Sequence, residues 1–273
     1  MPFIETRDAT RLFYKDWGSG PPVVLIHGWP LDADMWEYQQ PALTQAGYRT
    51  IAYDRRGFGR SDQPWSGYDY DTFADDLKAV LDSLDLQDVT LVGFSMGGGE
   101  IARYLARHGG ARVARAVLVS AVTPMLAKTP DHPGGVDVSV FEGMIEGIER
   151  DRPHFWSNFV KSFFGAGLLS SPASSELMAW TGMLAMRASP TATVDCVRAF
   201  GGTDFRADMA AFRVPTLVIH GDADQTVPFD LSGKAAAQAI PGARLAIYEG
   251  APHAIPFTHK DRLTEDLLAF LRA

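Results

Sequence analysis

Residues 89–94, VTLVGF, form an unbroken apolar run, and the chain changes character immediately after it, in SMGGGEIARYLARH. A short apolar run without polar alternation reads as a strand buried on both faces, because a strand with one wet face alternates. Such a strand needs a layer above it and a layer below it. PPVVLIHG (21–28), YRTIAYD (48–54) and ARAVLVSA (114–121) read as further apolar strands, and the sheet pattern continues with VPTLVIHGD (214–222) and ARLAIYEGA (243–251). Helix-like stretches separate them. In DTFADDLKAVLDSLDL, residues 71–86, Phe73, Leu77, Val80, Leu81 and Leu84 recur at helical spacing, with Asp71 as the expected cap. Residues 34–46, DMWEYQQPALTQA, are expected to form a helix bent at its interior proline, a further helix covers about 97–108, and DRLTEDLLAFLRA closes the chain. Buried strands alternating with helices give an α/β fold with a mostly parallel central sheet flanked by helices.

The pattern breaks at Pro124 and resumes near residue 206. Between them the chain is helical and rich in aromatic residues and methionine, including Met144, Met178, Met183 and Met186. We read residues 1–123 and 206–273 as the core and 124–205 as an inserted helical cap that lines a largely apolar pocket.

The bulk numbers exclude several functions. A chain of 273 residues, 46% hydrophobic, can bury one large core or two modest ones. A net charge of -8 with scattered basic residues argues against a nucleic-acid or anionic-membrane partner. No run approaches the roughly 18 apolar residues of a membrane span. The N-terminal MPFIETRDATRLFYKDWG reads as two strands rather than a signal peptide, so a cytoplasmic location is expected. The single cysteine, Cys196, rules out an internal disulfide and is read as structural. YDRRGFGRSDQP lacks both the G-x-G-x-x-G and the G-x-x-x-x-G-K-S pattern, so it reads as a hydrogen-bonded turn beside the site, with Arg55 and Arg56 in salt bridges or a solvated loop. There is no H-E-x-x-H, and neither a cofactor nor a metal is expected.

Ser95 stands at the centre of G-x-S-x-G, between an apolar strand and a helix. That context turns the strand sharply and lifts the hydroxyl clear of the sheet edge, with the helix dipole behind it. A serine hydroxyl needs a base. His253, in the loop after the last strand, is the expected base, whereas His27 and His220, each abutting a glycine at a strand end, read as buried histidines that shape their loops. The imidazole needs a carboxylate, and Asp224 is favoured over Asp222, which directly follows Gly221. The oxyanion of a tetrahedral intermediate needs donors in place. The main-chain amides of Met96 and Trp29 are the candidates, since Pro30 has no amide hydrogen.

HGWPLDADMWEYQ, YDRRGFGRSDQP, LVGFSMGGGEIARY, VPTLVIHGDADQTVPF and the late APH together resemble the α/β-hydrolase fold, and more narrowly the bacterial aryl esterases and cofactor-free haloperoxidases. The resemblance covers most of the chain. It implies hydrolysis of small or aryl esters through an acyl-serine, and perhydrolysis, in which hydrogen peroxide replaces water and the released peracid oxidises halide without haem or metal. It implies the same triad, Ser95, Asp224 and His253, the same amides of Trp29 and Met96, and pocket walls at Val122, Phe141, Phe159, Phe163, Phe200, Val227 and Phe229. Partners are then a small-molecule ester with water or hydrogen peroxide, and homo-oligomerisation is left open. Ala254 departs from the glycine that commonly follows the base histidine, which bears on loop shape and substrate preference. Related γ-lactamases make amide or lactam hydrolysis by the same triad the alternative enzyme reading. A non-catalytic ligand-binding or signalling protein on the same scaffold is the alternative from another class.

Overall fold

A computed structural model describes residues 2–167 and 172–273. Eight strands form one sheet: β1 (Phe3–Glu5), β2 (Arg11–Trp17), β3 (Pro22–Ile26), β4 (Arg49–Tyr53), β5 (Val89–Phe94), β6 (Val113–Val119), β7 (Thr216–Gly221) and β8 (Arg244–Tyr248), in the order β1-β2-β4-β3-β5-β6-β7-β8. The β1–β2 and β2–β4 pairs are antiparallel, and every later pair is parallel. All six residues of β5 are buried, as are the last four of β3, which is what their unbroken apolar composition requires. The helices are α1 (Gln39–Gln45), α2 (Tyr70–Ser83), α3 (Met96–His108), α4 (Val138–Phe163), α5 (Ser175–Met186), α6 (Pro190–Gly202), α7 (Gly233–Ala239), α8 (Ile255–Thr258) and α9 (Lys260–Arg272). None of those described is long and apolar enough to cross a membrane.

The chain runs from β3 outward to β4, then returns to place β5 on the other side of β3. That reversal leaves a crevice at the carboxyl ends of β3 and β5, the place where open α/β sheets put their ligands. Ile26 is in register with Gly93, so the loops that follow the two strands leave the sheet side by side.

Two local expectations are corrected and a third is narrowed. The helix expected over 34–46 is a 3₁₀ turn at Ala33–Trp36 followed by α1. Pro41 sits in the first turn of α1, where its missing N–H breaks no intrahelical bond. The cap of α2 is Asp69, whose carboxylate accepts from the Thr72 amide at 2.9 Å, and Asp71 lies inside the first turn. Arg55 and Arg56 are both buried, which removes the solvated-loop reading, and Arg56 pairs with Asp76 at 2.6 Å.

Helices α4–α6 come between β6 and β7, and residues of α4 and α6 wall the space over the crevice. α4 is broken at Asp151, whose backbone leaves the helical region. The Asp151 carboxylate accepts from the His154 amide at 3.0 Å and so starts the second half, with Pro153 inside that first turn. The break lets both halves of one long segment reach the crevice. Phe141, in the first half, packs on Phe200 of α6, while Trp156 and Phe159, in the second, meet the Trp29 ring edge-on at 5.0 and 5.4 Å. Each such aromatic pair adds about 0.5–1.5 kcal/mol beyond area burial.

Candidate active site

Ser95 holds φ 53° and ψ −116°, a backbone position hostile to a side chain. The neighbouring glycines explain how the turn fits. A Cβ on Gly93 would lie 2.5 Å from the Gly97 carbonyl oxygen, and one on Gly97 would lie 2.6 Å from that of Ile26. Strand β5 therefore reverses into α3 in a space with no room for a methyl group at either flank.

The strand-end loops bring the three expected polar side chains together in a buried line. His253 Nε2 lies 3.0 Å from Ser95 Oγ, and His253 Nδ1 lies 2.6 Å from Asp224 Oδ2. Since a carboxylate only accepts, Nδ1 carries the proton and Nε2 is free to accept from the serine. The other carboxylate oxygen, Oδ1, accepts from the Thr226 and Val227 amides at 2.9 and 2.8 Å. Burial opposes the charge on Asp224, but His253 and His220 beside it hold the carboxyl below the usual carboxylate range. Asp222 is turned away and accepts from the Gly250 amide at 2.6 Å, tying β7 to the loop after β8.

The loop after β3 passes against the elbow. A Cβ on Gly28 would lie 3.0 Å from that of Ser95. Among the described residues, neither the Trp29 nor the Met96 main-chain N–H donates to a protein acceptor. Trp29 and Met96 thus bring two unengaged donors to the rim of the elbow. The Trp29 ring lines the cavity, and its Nε1 donates to the Thr193 carbonyl of α6 at 2.9 Å, which fastens this loop to the cap. The Met96 side chain is fully buried in the main core and is absent from the cavity wall.

His27 and His220 are fully buried loop-shaping groups. His27 Nε2 accepts from the Arg55 amide and Nδ1 donates to the Gly28 carbonyl, both at 2.9 Å. Burial, then Arg55, holds this imidazole well below the ordinary histidine range, so it stays neutral. His220 Nε2 donates to the Val227 carbonyl at 3.0 Å, bracing the segment that presents Asp224. Cys196 is buried, and burial pushes its thiol up, out of reach of thiolate chemistry.

A cavity of about 160 Å³ opens over Ser95 and His253. Of the expected walls, Val122, Phe141, Phe159, Phe200 and Val227 line it. Phe163 and Phe229 do not. Phe163 stands edge-on to the His253 ring at 5.4 Å, behind the site, and Phe229 tilts against His220 at 5.7 Å. Sequence reasoning missed Leu126, Val136, Val140 and Met144, and the polar Ser162, Gln225 and Thr226. One signal was available: Met144 follows Phe141 by three residues on α4, hence on the same helical face.

A family model described as alpha/beta hydrolase fold matches residues 21–260. The chain is 48% identical to a non-heme chloroperoxidase of Kitasatospora aureofaciens, over 99% of both chains. It is 38% identical to a bifunctional esterase/perhydrolase of Acinetobacter calcoaceticus, over the whole of both. The crystal structure of a bromoperoxidase from Bacillus anthracis superposes with a TM-score of 0.96 at 49% identity, covering 100% of this chain and 99% of that one. With the elbow, the crevice and these likenesses in agreement, the chain belongs to the α/β-hydrolase family, among enzymes named for non-heme haloperoxidase and esterase/perhydrolase activity.

Proposed function

We propose that the protein is a serine carboxylesterase for aryl or small-acyl esters that also passes acyl groups to hydrogen peroxide. The observation that carries this reading is the buried line Ser95 Oγ–His253 Nε2 at 3.0 Å and His253 Nδ1–Asp224 Oδ2 at 2.6 Å, opening into an apolar cavity. His253 takes the Ser95 proton as Oγ attacks the ester carbonyl. The Trp29 and Met96 amides stabilise the oxyanion. His253 then protonates the leaving alcohol, and the acyl group remains on Ser95. Water or hydrogen peroxide attacks the acyl-serine, again with His253 as base, and a carboxylic or peroxycarboxylic acid departs. Asp224 stays ionised throughout and orients the imidazole. A halide is oxidised by the free peracid, with no halide site required. The cavity volume favours short acyl chains, and its aromatic walls suit an apolar leaving group.

The test is mass spectrometry of the intact protein mixed with p-nitrophenyl acetate, beside Ser95→Ala, while p-nitrophenol release is followed. A transient acetyl mass on Ser95 and a loss of at least about 10⁴-fold in kcat for Ser95→Ala are expected. Full activity in the alanine variant would sink the proposal.

A further inference from the structure

We propose that Met144 is a self-oxidation site: the peroxycarboxylic acid formed at Ser95 oxidises the Met144 thioether before it escapes the cavity. The inference rests on the perhydrolase reading above. The eight described methionines fall into distinct environments. Met35, Met96, Met125 and Met209 are closed inside the core. Met183 and Met186 are 61% and 38% exposed on the cap, lining with Met178 a separate surface groove. Met144 alone among the described methionines lines the cavity that contains Ser95 and His253.

That placement matters because of what surrounds it. Leu126, Val140 and Phe141, which share the cavity wall with Met144, offer only hydrocarbon. A thioether is soft and readily takes an oxygen atom. A peracid released from acyl-Ser95 is therefore born in a space of about 160 Å³ beside one thioether. The transfer balances with hydrogen peroxide as the only added oxidant. Peroxide attacks the acyl-serine and leaves as the peracid. The Met144 sulfur lone pair then attacks the terminal peroxy oxygen, the O–O bond breaks, and the proton on that oxygen passes to the acyl carbonyl oxygen, so that a carboxylic acid departs and sulfur keeps the oxygen as a sulfoxide. Sulfur is oxidised by two electrons and the peroxy oxygen is reduced. The sulfoxide puts a polar, chiral group into an apolar wall, and it is reversible by sulfoxide reductases. Perhydrolysis thereby carries its own brake, set at the pocket rather than at the triad.

The experiment supplies ethyl acetate and hydrogen peroxide to the wild type, Ser95→Ala and Met144→Leu. Peracid in solution is titrated with iodide, and sulfoxide at Met144 and Met183 is quantified by peptide mapping. As a reference for oxidant from bulk solution, Ser95→Ala is treated with added peracetic acid. The ratio of Met144 to Met183 oxidation is expected to be about tenfold or more higher in turning-over wild type than in that reference, since reaction inside the cavity has a large effective concentration. Peroxide with Ser95→Ala alone should leave Met144 unmodified. Esterase activity, normalised to each protein's own starting rate, should decay more slowly in Met144→Leu. Peracid production with an unchanged Met144 to Met183 ratio overturns this inference and leaves the perhydrolase reading intact. Absence of both peracid and Met144 sulfoxide overturns both.

Discussion

Arg55 Nε donates to Glu100 Oε2 at 2.7 Å, and neither side chain is reached by solvent. The pair joins the turn after β4 to the middle of α3, the helix that begins at the elbow. Tyr53 donates to the other Glu100 oxygen, and Arg55 Nη2 donates to the His27 carbonyl at 2.9 Å. The two loops that carry the proposed oxyanion donors thus share one buried support. Removing a single partner of such a pair strands a charge in the interior. Glu100→Leu is expected to lower stability by about 3–5 kcal/mol in urea unfolding, and Arg55→Met/Glu100→Leu to recover much of that loss. A single-variant cost below about 1 kcal/mol would show that the pair holds little.

Asp224→Asn should leave the fold standing and reduce kcat for p-nitrophenyl acetate by about 10⁴-fold, because an amide in place of the carboxylate no longer selects the Nδ1–H tautomer of His253. The same variant tests the electrostatics. The Asp224 carboxyl lies below its unfolded value, so its stabilisation is present above about pH 4 and is lost as the pH falls further. Chemical unfolding at a series of acid pH values should show a shallower acid decline for the asparagine variant than for the wild type.

Asp32 should titrate with the opposite sign. Burial, then the neighbouring Asp54, pushes its carboxyl up to about 6, although Arg187 Nη2 lies 2.5 Å from Oδ2. An acid whose folded pKa is raised binds its proton more readily in the folded state, so its ionisation weakens folding as the pH rises from about 4 to above 6. Asp32→Asn keeps an oxygen for the Asp34 amide, which now donates to Oδ1 at 2.9 Å. The variant is expected to gain roughly 1–2 kcal/mol over the wild type at pH 8 and to lose that advantage near pH 4, read from melting at both values. A larger advantage in acid would reverse the assignment.

Phe159 lines the cavity beside the Trp29 ring, edge-on to it at 5.4 Å. Phe159→Leu should widen the acyl space. The kcat/KM ratio of p-nitrophenyl butyrate to acetate is expected to rise about tenfold, the scale on which pocket contacts discriminate one or two methylenes. An unchanged ratio would mean that Phe159 faces the leaving group instead.

Much of this architecture can be read along the chain because β3, β5 and β7 are buried on both sides and so write continuous apolar runs. Each run ends in a glycine-bearing loop, and those loops carry Trp29, Ser95 and Asp224. The cap is less legible. Phe163 has the composition of a pocket wall, yet which face of α4 meets the cavity depends on how the helix docks and on its break at Asp151. Met144 and Val140 enter the wall through that docking. Asp69 and Asp71 both suit a helix start by residue type, and only the extended backbone at Asp69 separates them. The support formed by His27, Arg55 and Glu100 joins residues up to 73 positions apart that follow no common motif.

In the proposed mechanism, the left-handed backbone at Ser95 sets folding and chemistry against each other at a single residue. Glycine would occupy that conformation freely and would relieve about 1–3 kcal/mol of strain, against which its extra freedom in the unfolded chain counts for less. A library selected for thermal resistance alone would therefore drift toward glycine at position 95 and arrive at a sturdier, silent protein. Any campaign to harden this scaffold has to screen for turnover in the same round as for heat.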